Sequence, residues 1–225
     1  DLMYGLPGQD VAGAVADVEQ ALDHEPVHLS HYQLTIEPRT VFAANPPALP
    51  DEERIERMQS ACGELLRGAG LEQYEVSAWA RAGRECRHNL NYWRFGDYLA
   101  IGAGAHGKLT HAAAGRIERY ARPRSPSLYM RAPVTGGWLA ESRELGADDR
   151  VFEFFLNGLR LAGGIRLDDF EARTGLPESA AAAPLARAAE LELLERDGGR
   201  VRPSARGWRF LNDLQGLFLA EPNPA

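Results

Sequence analysis

An imidazole, two amides and two large aromatic side chains occur together in the segment Cys86-Arg-His-Asn-Leu-Asn-Tyr-Trp93. The neutral imidazole of His88 is a type of group that commonly binds metals. The faces of Tyr92 and Trp93 can pack on a planar macrocycle while the amide of Asn89 holds the ring or an acid substituent. A core turn anchored by Trp93 and capped by asparagines explains the same composition. The residue types alone give these two interpretations about equal weight.

A glycine-rich segment, residues 96–107, follows directly. Glycines allow the backbone to approach a ligand closely, and His106 in this segment is a candidate second ligand or hydrogen-bond donor. The segment lacks the lysine and hydroxyl of a Walker loop, so a nucleotide site of the P-loop type is excluded.

The two cysteines do not form a recognisable metal or redox motif. Cys62 lies on the apolar stripe of a predicted helix that begins after Asp51 and ends at Gly68, which favours a packing role. Cys86 lies two residues before His88, but one such pair leaves a metal undercoordinated. The low cysteine count is typical of a reducing compartment.

Patterns near the start of the chain predict a strand, a helix and a second strand. Asp1 to Tyr4 forms the first strand, residues 11–22 form a helix capped by Asp10, and residues 27–36 form the second strand. This order predicts a parallel crossover unit of a barrel or a doubly wound α/β fold. The first strand needs neighbours on both sides, so we expect the chain to begin in mid-domain. Asp1 could hold a ribose hydroxyl or an amino group, although spacing alone favours a turn former.

The later part of the chain predicts a strand at residues 75–79 and a connecting region between Arg119 and Gly146. Beyond it, the patterns predict helices over residues 149–161, 166–174 and 184–195, a tight turn at 197–199, and a closing helix over 204–219. This order resembles a winged-helix module running to Glu221. The segment in the place of a recognition helix is more acidic than basic, which favours a structural or docking role over DNA binding. The predicted domains are residues 1–118, the connection 119–147 and residues 148–225.

Composition narrows the class of protein. The formal charge of −7 disfavours a nucleic-acid partner, because such proteins need a basic surface. The sequence contains neither a long apolar run nor a signal peptide, so we expect a cytoplasmic protein.

Several long segments together resemble the HemW-type heme chaperones, a family of radical S-adenosylmethionine (SAM) proteins similar to oxygen-independent coproporphyrinogen-III oxidases. The resemblance covers nearly the whole chain in order. The matching segments are residues 1–9, 29–38, 86–98, 101–108 and 213–221. It implies an α/β fold that contains the C-terminal part of an incomplete radical SAM barrel, followed by a small helical domain.

The resemblance also implies a [4Fe-4S] cluster on a Cys-x3-Cys-x2-Cys motif and a bound SAM, but this chain has no such cysteine motif. Asp1 matches a SAM contact of the group, and Thr35 matches a second one more weakly. His88, Asn89, Tyr92 and Trp93 match the His-Asn-x-x-Tyr-Trp motif, which separates HemW-type proteins from the oxidases and is linked with heme handling.

The implied function is to bind heme, with His88 as a candidate iron ligand, and to pass it to acceptor hemoproteins. The alternative is an enzyme that decarboxylates coproporphyrinogen III with a SAM-derived radical. A homodimer is a further expectation. Without the cluster motif, the chain alone is expected to be inactive in SAM cleavage.

Overall fold

The computed structural model describes residues 1–220 and divides into two compact units, residues 1–86 and a second unit that begins at Arg87. The end of the predicted C-terminal domain, including Glu221, lies outside the described residues. The elements of the first unit are β1 (Leu2–Tyr4), α1 (Val11–Leu22), β2 (His28–Gln33), α2 (Val41–Ala44), α3 (Glu52–Gly68), β3 (Glu72–Glu75) and β4 (Ala78–Ala80).

The first strand, helix and strand form as predicted. The side chain of Asp10 accepts a hydrogen bond from the amide of Gly13 at 2.8 Å, which caps α1 at the expected residue. β1 and β2 pair in parallel, with Leu2 opposite His31 and Tyr4 opposite Gln33. β2 is shorter than predicted, because pairing with β1 supports it only as far as the end of that strand.

The prediction of one strand over residues 75–79 is wrong. The chain turns at Val76 and Ser77, so that β3 and β4 form an antiparallel hairpin. The buried carboxylate of Glu75 accepts a hydrogen bond from the amide of Ser77 at 3.1 Å and so stabilises the turn. β4 then pairs antiparallel with β2, which gives a mixed open sheet in the order β1-β2-β4-β3.

The core of the first unit lies between this sheet and helices α1 and α3. Cys62 is fully buried in it, which confirms the packing role predicted from its place on the helix stripe. Asp51 caps α3 through a 2.8 Å hydrogen bond from the amide of Arg54, also as predicted. Other buried members of this core are Tyr4, Val18, Met58, Leu66, Leu71 and Trp79.

The second unit contains two small antiparallel sheets and seven helices among its described residues. Its elements are α4 (Arg87–Trp93), β5 (His106–His111), β6 (Arg116–Ala121), α5 (Pro126–Thr135), β7 (Glu141–Glu144), α6 (Ala147–Gly158), β8 (Ile165–Arg166), α7 (Leu167–Thr174), α8 (Ala182–Glu190), β9 (Leu194–Asp197), β10 (Arg200–Pro203), α9 (Ala205–Arg209) and α10 (Leu211–Gly216). The sheets have the orders β5-β6-β7 and β8-β10-β9.

The segment between Arg119 and Gly146 is more regular than its sequence pattern predicts. It contains half of β6, all of α5 and all of β7, and β7 pairs with β6 through Arg119 opposite Arg143. All four residues of β7 are exposed, so this strand has no apolar alternation for a sequence pattern to reveal. The compact units divide between Cys86 and Arg87, and the predicted domain boundaries at 118/119 and 147/148 stay a prediction.

The C-terminal helices and hairpin follow the predicted order with two differences. α8 ends at Glu190 instead of continuing to Glu195, because the chain reverses at Glu192 and buries Leu194 at the start of β9. The closing helix is interrupted at Phe210. Gly198 and Gly199 both have positive φ and form the predicted two-residue hairpin turn.

Aromatic rings dominate the core of the second unit. Phe154, Phe155 and Phe170 contact one another, and Phe218 stacks on Phe155 with ring centroids 4.1 Å apart. No helix among the described residues is long and apolar enough to cross a membrane.

Candidate functional site

The segment singled out by its chemistry forms a short helix, α4, whose sides have different surroundings. Leu90 and Trp93 pack against the core of the second unit. His88 and Tyr92 are four residues apart and therefore lie together on another side of the helix. Trp93 therefore fits the interpretation of the segment as a core turn. His88 does not fit it, because its side chain is exposed.

His88 begins a row of aromatic rings. The ring of His88 meets the ring of Tyr92 edge-on with centroids 4.7 Å apart, and Tyr92 meets Tyr98 at 4.2 Å. Tyr98 in turn accepts a hydrogen bond from Arg119, whose guanidinium lies 5.5 Å from the Tyr98 ring centroid. We call His88, Tyr92 and Tyr98 the aromatic row. Within the described residues, the imidazole of His88 has no hydrogen bond or ion pair, so its nitrogens are available to a ligand.

Asn89 and Trp93 differ from the row in their surroundings. Asn89 is half-buried on α4. The indole Nε1 of Trp93 is buried without a hydrogen-bond partner among the described residues, and the guanidinium of Arg160 lies 4.6 Å from the ring centroid. The surroundings of Trp93 are therefore those of a packing residue.

An ion pair between buried Lys108 and exposed Asp97 holds the turn that follows α4. The Nζ of Lys108 donates to Oδ1 of Asp97 at 2.9 Å and to the carbonyl oxygen of Phe95 at 3.0 Å. Thr110 donates to the same carboxylate through its amide and its hydroxyl, both at 2.8 Å. Burial of the Asp97 carboxyl acts to raise its pKa, but these hydrogen bonds outweigh burial and lower the pKa below its ordinary value. The network fixes the chain between the motif helix and β5, and thereby the position of Tyr98.

The glycine-rich segment is held by protein side chains. The amide of Ala100 donates to the hydroxyl of Tyr120 at 2.9 Å, and the amide of Gly102 donates to that of Tyr129 at 3.0 Å. Close approach of the backbone occurs at Gly107, where a Cβ would overlap the Tyr120 ring. Packing against Tyr120 therefore explains why residue 107 is a glycine.

His106 lines a cavity of about 370 Å³ at the start of β5. The cavity also contacts Arg119, Arg143 and Glu153. Glu153 accepts from Arg119 at 2.6 Å and from Arg143 at 3.3 Å. Burial of the Arg119 guanidinium acts to lower its pKa, but the contact with Glu153 outweighs burial and raises the pKa above its ordinary value. His106 is thus placed on the Arg119 end of the aromatic row.

The sequence pattern did not single out Tyr98, Arg119 or Glu153. They come from the loop after α4, from β6 and from α6, and only strand pairing and packing bring them together. The burial pattern of β6 does not alternate, so it gave no signal for Arg119.

The two predicted SAM contacts lie apart. Asp1 is exposed just before β1, whereas Thr35 is exposed two residues after the end of β2. Because these strands are parallel and Tyr4 pairs with Gln33, the two residues flank opposite ends of the strand pair. The predicted placement of Asp1 on a buried strand is not observed, and the hydroxyl of Thr35 contacts Glu37 at 3.4 Å.

The polar residues of β2 make contacts inside the first unit. His31 is buried and its ring stacks on Tyr4 with centroids 4.5 Å apart. Burial lowers the pKa of His31 to about 4. The Nε2 of His28 hydrogen-bonds the hydroxyl of Tyr74 at 2.9 Å. His28 is therefore a hydrogen-bonded structural residue, and His31 is a buried packing residue of the same unit.

The described residues do not fit an iron–sulfur cluster. Cys62 is buried in the core on α3, and burial raises its pKa to about 11, which opposes formation of a thiolate. Cys86 is the other cysteine, and no group of three or more His, Cys, Asp or Glu residues within residues 1–220 is arranged to hold a metal ion. No chemical step can be assigned to a cluster on these residues.

Comparison with known proteins identifies relatives over nearly the whole chain. The heme chaperone HemW of Haemophilus influenzae is 45% identical over 98% of this chain, and the one from Escherichia coli is 44% identical over 98%. The chain belongs to the HemW family. It covers 56% of the first relative and 57% of the second, so it spans little more than half their length and matches their C-terminal part.

Two further matches agree with this assignment. Residues 145–210 match the family described as the HemN C-terminal domain. The Mus musculus protein named radical S-adenosyl methionine domain-containing protein 1, mitochondrial, is 37% identical over 73% of the HemW-family chain and 39% of its own length.

A solved structure confirms the fold class. The coproporphyrinogen III oxidase HemN of Escherichia coli, described as a radical SAM enzyme, superposes with a TM-score of 0.74 over 97% of this chain and 54% of its own. Its identity of 18% supports the fold alone. The mixed α/β fold of this HemW-family chain corresponds to about half of that enzyme and contains no closed barrel in its described residues.

Proposed function

We propose that this HemW-family chain binds heme at the exposed end of the aromatic row, with His88 as the ligand of the heme iron. The main evidence is the imidazole of His88, which is exposed and has no hydrogen bond or ion pair among the described residues. Neutral imidazole is the most common protein ligand of heme iron, and the adjoining Tyr92 ring offers a face or edge for packing on a porphyrin. Relatives named heme chaperones support the same assignment.

Polar side chains lie at the Tyr98 end of the aromatic row. Tyr98 leads to Arg119, and His106 lines the cavity beside that guanidinium. Heme combines an apolar macrocycle with two carboxylates, so a row of rings that ends at polar groups has the matching order of surfaces. We assign Tyr92 to ring packing and His106 to a polar contact or a second ligand.

The test is a heme titration of the 225-residue chain and of His88→Ala, followed through the Soret band. His24→Ala is the matched control, because His24 is exposed in the first unit and lies outside the aromatic row. We expect the His88 variant to lose the Soret shift and the control to retain it. Identical spectra for the parent chain and His88→Ala would remove His88 from the site.

A second histidine variant, His106→Ala, separates the two imidazoles. A retained Soret position with weaker binding fits a polar contact, whereas a change in the ligand-sensitive bands assigns His106 to the iron. Asn89→Ala and Tyr92→Ala, measured in the same titration, test the remaining motif positions.

Transfer of the bound heme to acceptor hemoproteins is the proposed role of the complete protein. We also propose a [4Fe-4S] cluster, SAM binding through Asp1 and Thr35, a cytoplasmic location and a homodimer, all on the basis of the family resemblance. Incubating the heme-loaded chain with an apo-hemoprotein and following the Soret band of the acceptor tests transfer directly. The oxidase alternative is not proposed, because the curated relatives carry the chaperone name and HemN supports the fold alone.

A further inference from the structure

A strongly basic concave surface of this acidic protein adjoins helix α4. Two neighbouring pockets, of about 220 and 280 Å³, share Arg94 and Arg173 as lining residues. We call their union the arginine groove. Its charged lining consists of five arginines and one aspartate: Arg87, Arg94, Arg166, Arg173, Arg200 and Asp169. The chain as a whole carries a formal charge of −7, so this local excess of cations runs against the average.

Three of these guanidiniums have no hydrogen-bond or ion-pair partner within residues 1–220. Arg87, Arg94 and Arg173 are exposed and make no side-chain hydrogen bond or ion pair with any described residue. In contrast, most other arginines of the second unit are paired, as Arg187 is with Glu190 and Arg196 with Glu178. These three guanidiniums can therefore bind an anion without first breaking an ion pair among the described residues.

The other two arginines contribute from the sheet β8-β10-β9. Arg166 pairs with Asp168 at 2.5 Å, and Arg200 donates to the carbonyl oxygen of Gly163 at 3.0 Å. The five cations thus come from α4 and the turn after it, from α7, and from two strands. A set of cations spread over four segments suits an extended anion better than a single small one.

The groove is separate from the aromatic row although both use α4. Arg87, Leu90 and Asn91 line the groove together with Arg94, and spacings of three, four and seven residues place them along one side of the helix. His88 and Tyr92 lie about a third of a turn away from that side. The groove is therefore a surface distinct from the one that carries His88 and Tyr92.

We propose that the arginine groove binds a carboxylate-rich segment of a partner protein. Guanidinium groups pair with carboxylates through parallel hydrogen bonds, and several arginines in a row match successive Asp or Glu side chains. Nucleic acid fits less well, because the described lining contains no aromatic ring on which bases could stack. This inference is independent of heme binding.

The test measures binding of a fluorescently labelled deca-glutamate peptide to the 225-residue chain by anisotropy, at low and high salt. We expect binding that weakens with salt, because the contacts are electrostatic. The groove variant combines Arg87→Gln, Arg94→Gln and Arg173→Gln and should weaken binding about tenfold or more.

A charge-matched variant controls for the overall change in net charge. It carries three substitutions at exposed, ion-paired arginines of the same unit: Arg187→Gln, Arg196→Gln and Arg206→Gln. Its affinity for the peptide should stay within about twofold of the parent chain, because these arginines do not line the groove. Exposed ion pairs contribute little to stability, so this variant should also remain folded. Circular dichroism of both variants checks that each is folded.

Three outcomes overturn the proposal. The first is no measurable peptide binding by the folded parent chain at low salt. The second is equal weakening in the groove variant and the charge-matched variant. The third is tighter binding of a labelled single-stranded oligonucleotide than of the peptide, with the same dependence on the groove arginines, which would assign the groove to nucleic acid.

Discussion

The backbone carbonyl of Asn91 accepts a hydrogen bond from the amide of Gly96 at 2.7 Å, and there is no space between the two residues for a side chain. A Cβ on Gly96 would overlap Oδ1 of Asn91 and lie 2.8 Å from its carbonyl oxygen. The Nδ2 of Asn91 also donates to the carbonyl of Asp97 at 2.9 Å. Asn91 is therefore a structural residue that closes the turn between the motif helix and Tyr98.

We predict that Gly96→Ala destabilises the second unit by about 1–3 kcal/mol, the usual cost of overpacking a filled site. Urea unfolding monitored by circular dichroism measures the loss. The control is Gly216→Ala at the end of α10, where a Cβ meets nothing within 4 Å and alanine favours the helix. Equal stability of Gly96→Ala and the parent chain would mean that the turn can relax away from Asn91.

Removal of Asp97 should be more costly than removal of its partner. Lys108 is 1% exposed, so Asp97→Ala leaves a buried ammonium without its carboxylate, and we expect a loss of about 2–3 kcal/mol in unfolding free energy. Lys108→Met keeps the apolar stem and removes the charge, so its cost should be smaller. Denaturant midpoints of the two variants and of the double variant give the comparison. The opposite order would mean that Lys108 contributes mainly through its contacts with the carbonyl oxygen and ring of Phe95.

Stability should decrease between pH 6.5 and pH 4 because of His31. Burial lowers its pKa from 6.5 to about 4, so the folded state favours the neutral ring while the unfolded chain takes up a proton near pH 6.5. The unfolding free energy is therefore undiminished by His31 above pH 6.5. It decreases by at most about 3 kcal/mol as the pH falls from 6.5 to 4.

The variant His31→Phe isolates this contribution, since the imidazole has no hydrogen bond among the described residues and stacks on Tyr4. Its unfolding free energy should depend less on pH than that of the parent chain, whereas the exposed-site control His24→Gln should behave like the parent. Urea titrations at about pH 7 and about pH 5 give the two slopes. Parallel profiles for His31→Phe and the parent chain would assign the pH dependence to other groups.

Trp93 should affect stability and leave the heme spectrum unchanged. It packs against the core, so Trp93→Ala is expected to cost about 2–3 kcal/mol, less than a fully buried tryptophan because the side chain is partly exposed. Trp138→Ala is the control, because Trp138 is 41% exposed and lies outside that core. A lost Soret shift in folded Trp93→Ala would instead place the indole at the porphyrin.

Local patterns in the sequence correctly predicted α1, α3 and the Gly198-Gly199 hairpin. Each of these features depends on neighbouring residues: Asp10 and Asp51 cap the helices, and paired glycines adopt the positive φ of the turn. The resemblance to HemW also lay in contiguous motifs, so it could be read directly. The helical state of residues 87–93 was not predicted, because seven residues with three different sides show no clear apolar stripe.

The sequence by itself determined the family, the caps and the chemistry available at His88. Only the tertiary structure decided how the aromatic row continues beyond Tyr92. Tyr98, Arg119 and Glu153 are brought together by strand pairing and helix packing, although 34 positions separate Arg119 from Glu153. The tertiary structure likewise separated Asp1 from Thr35 and assembled the arginine groove from four segments. Contacts between distant residues depend on the summed packing of the whole unit, and a local pattern of residue types does not encode them.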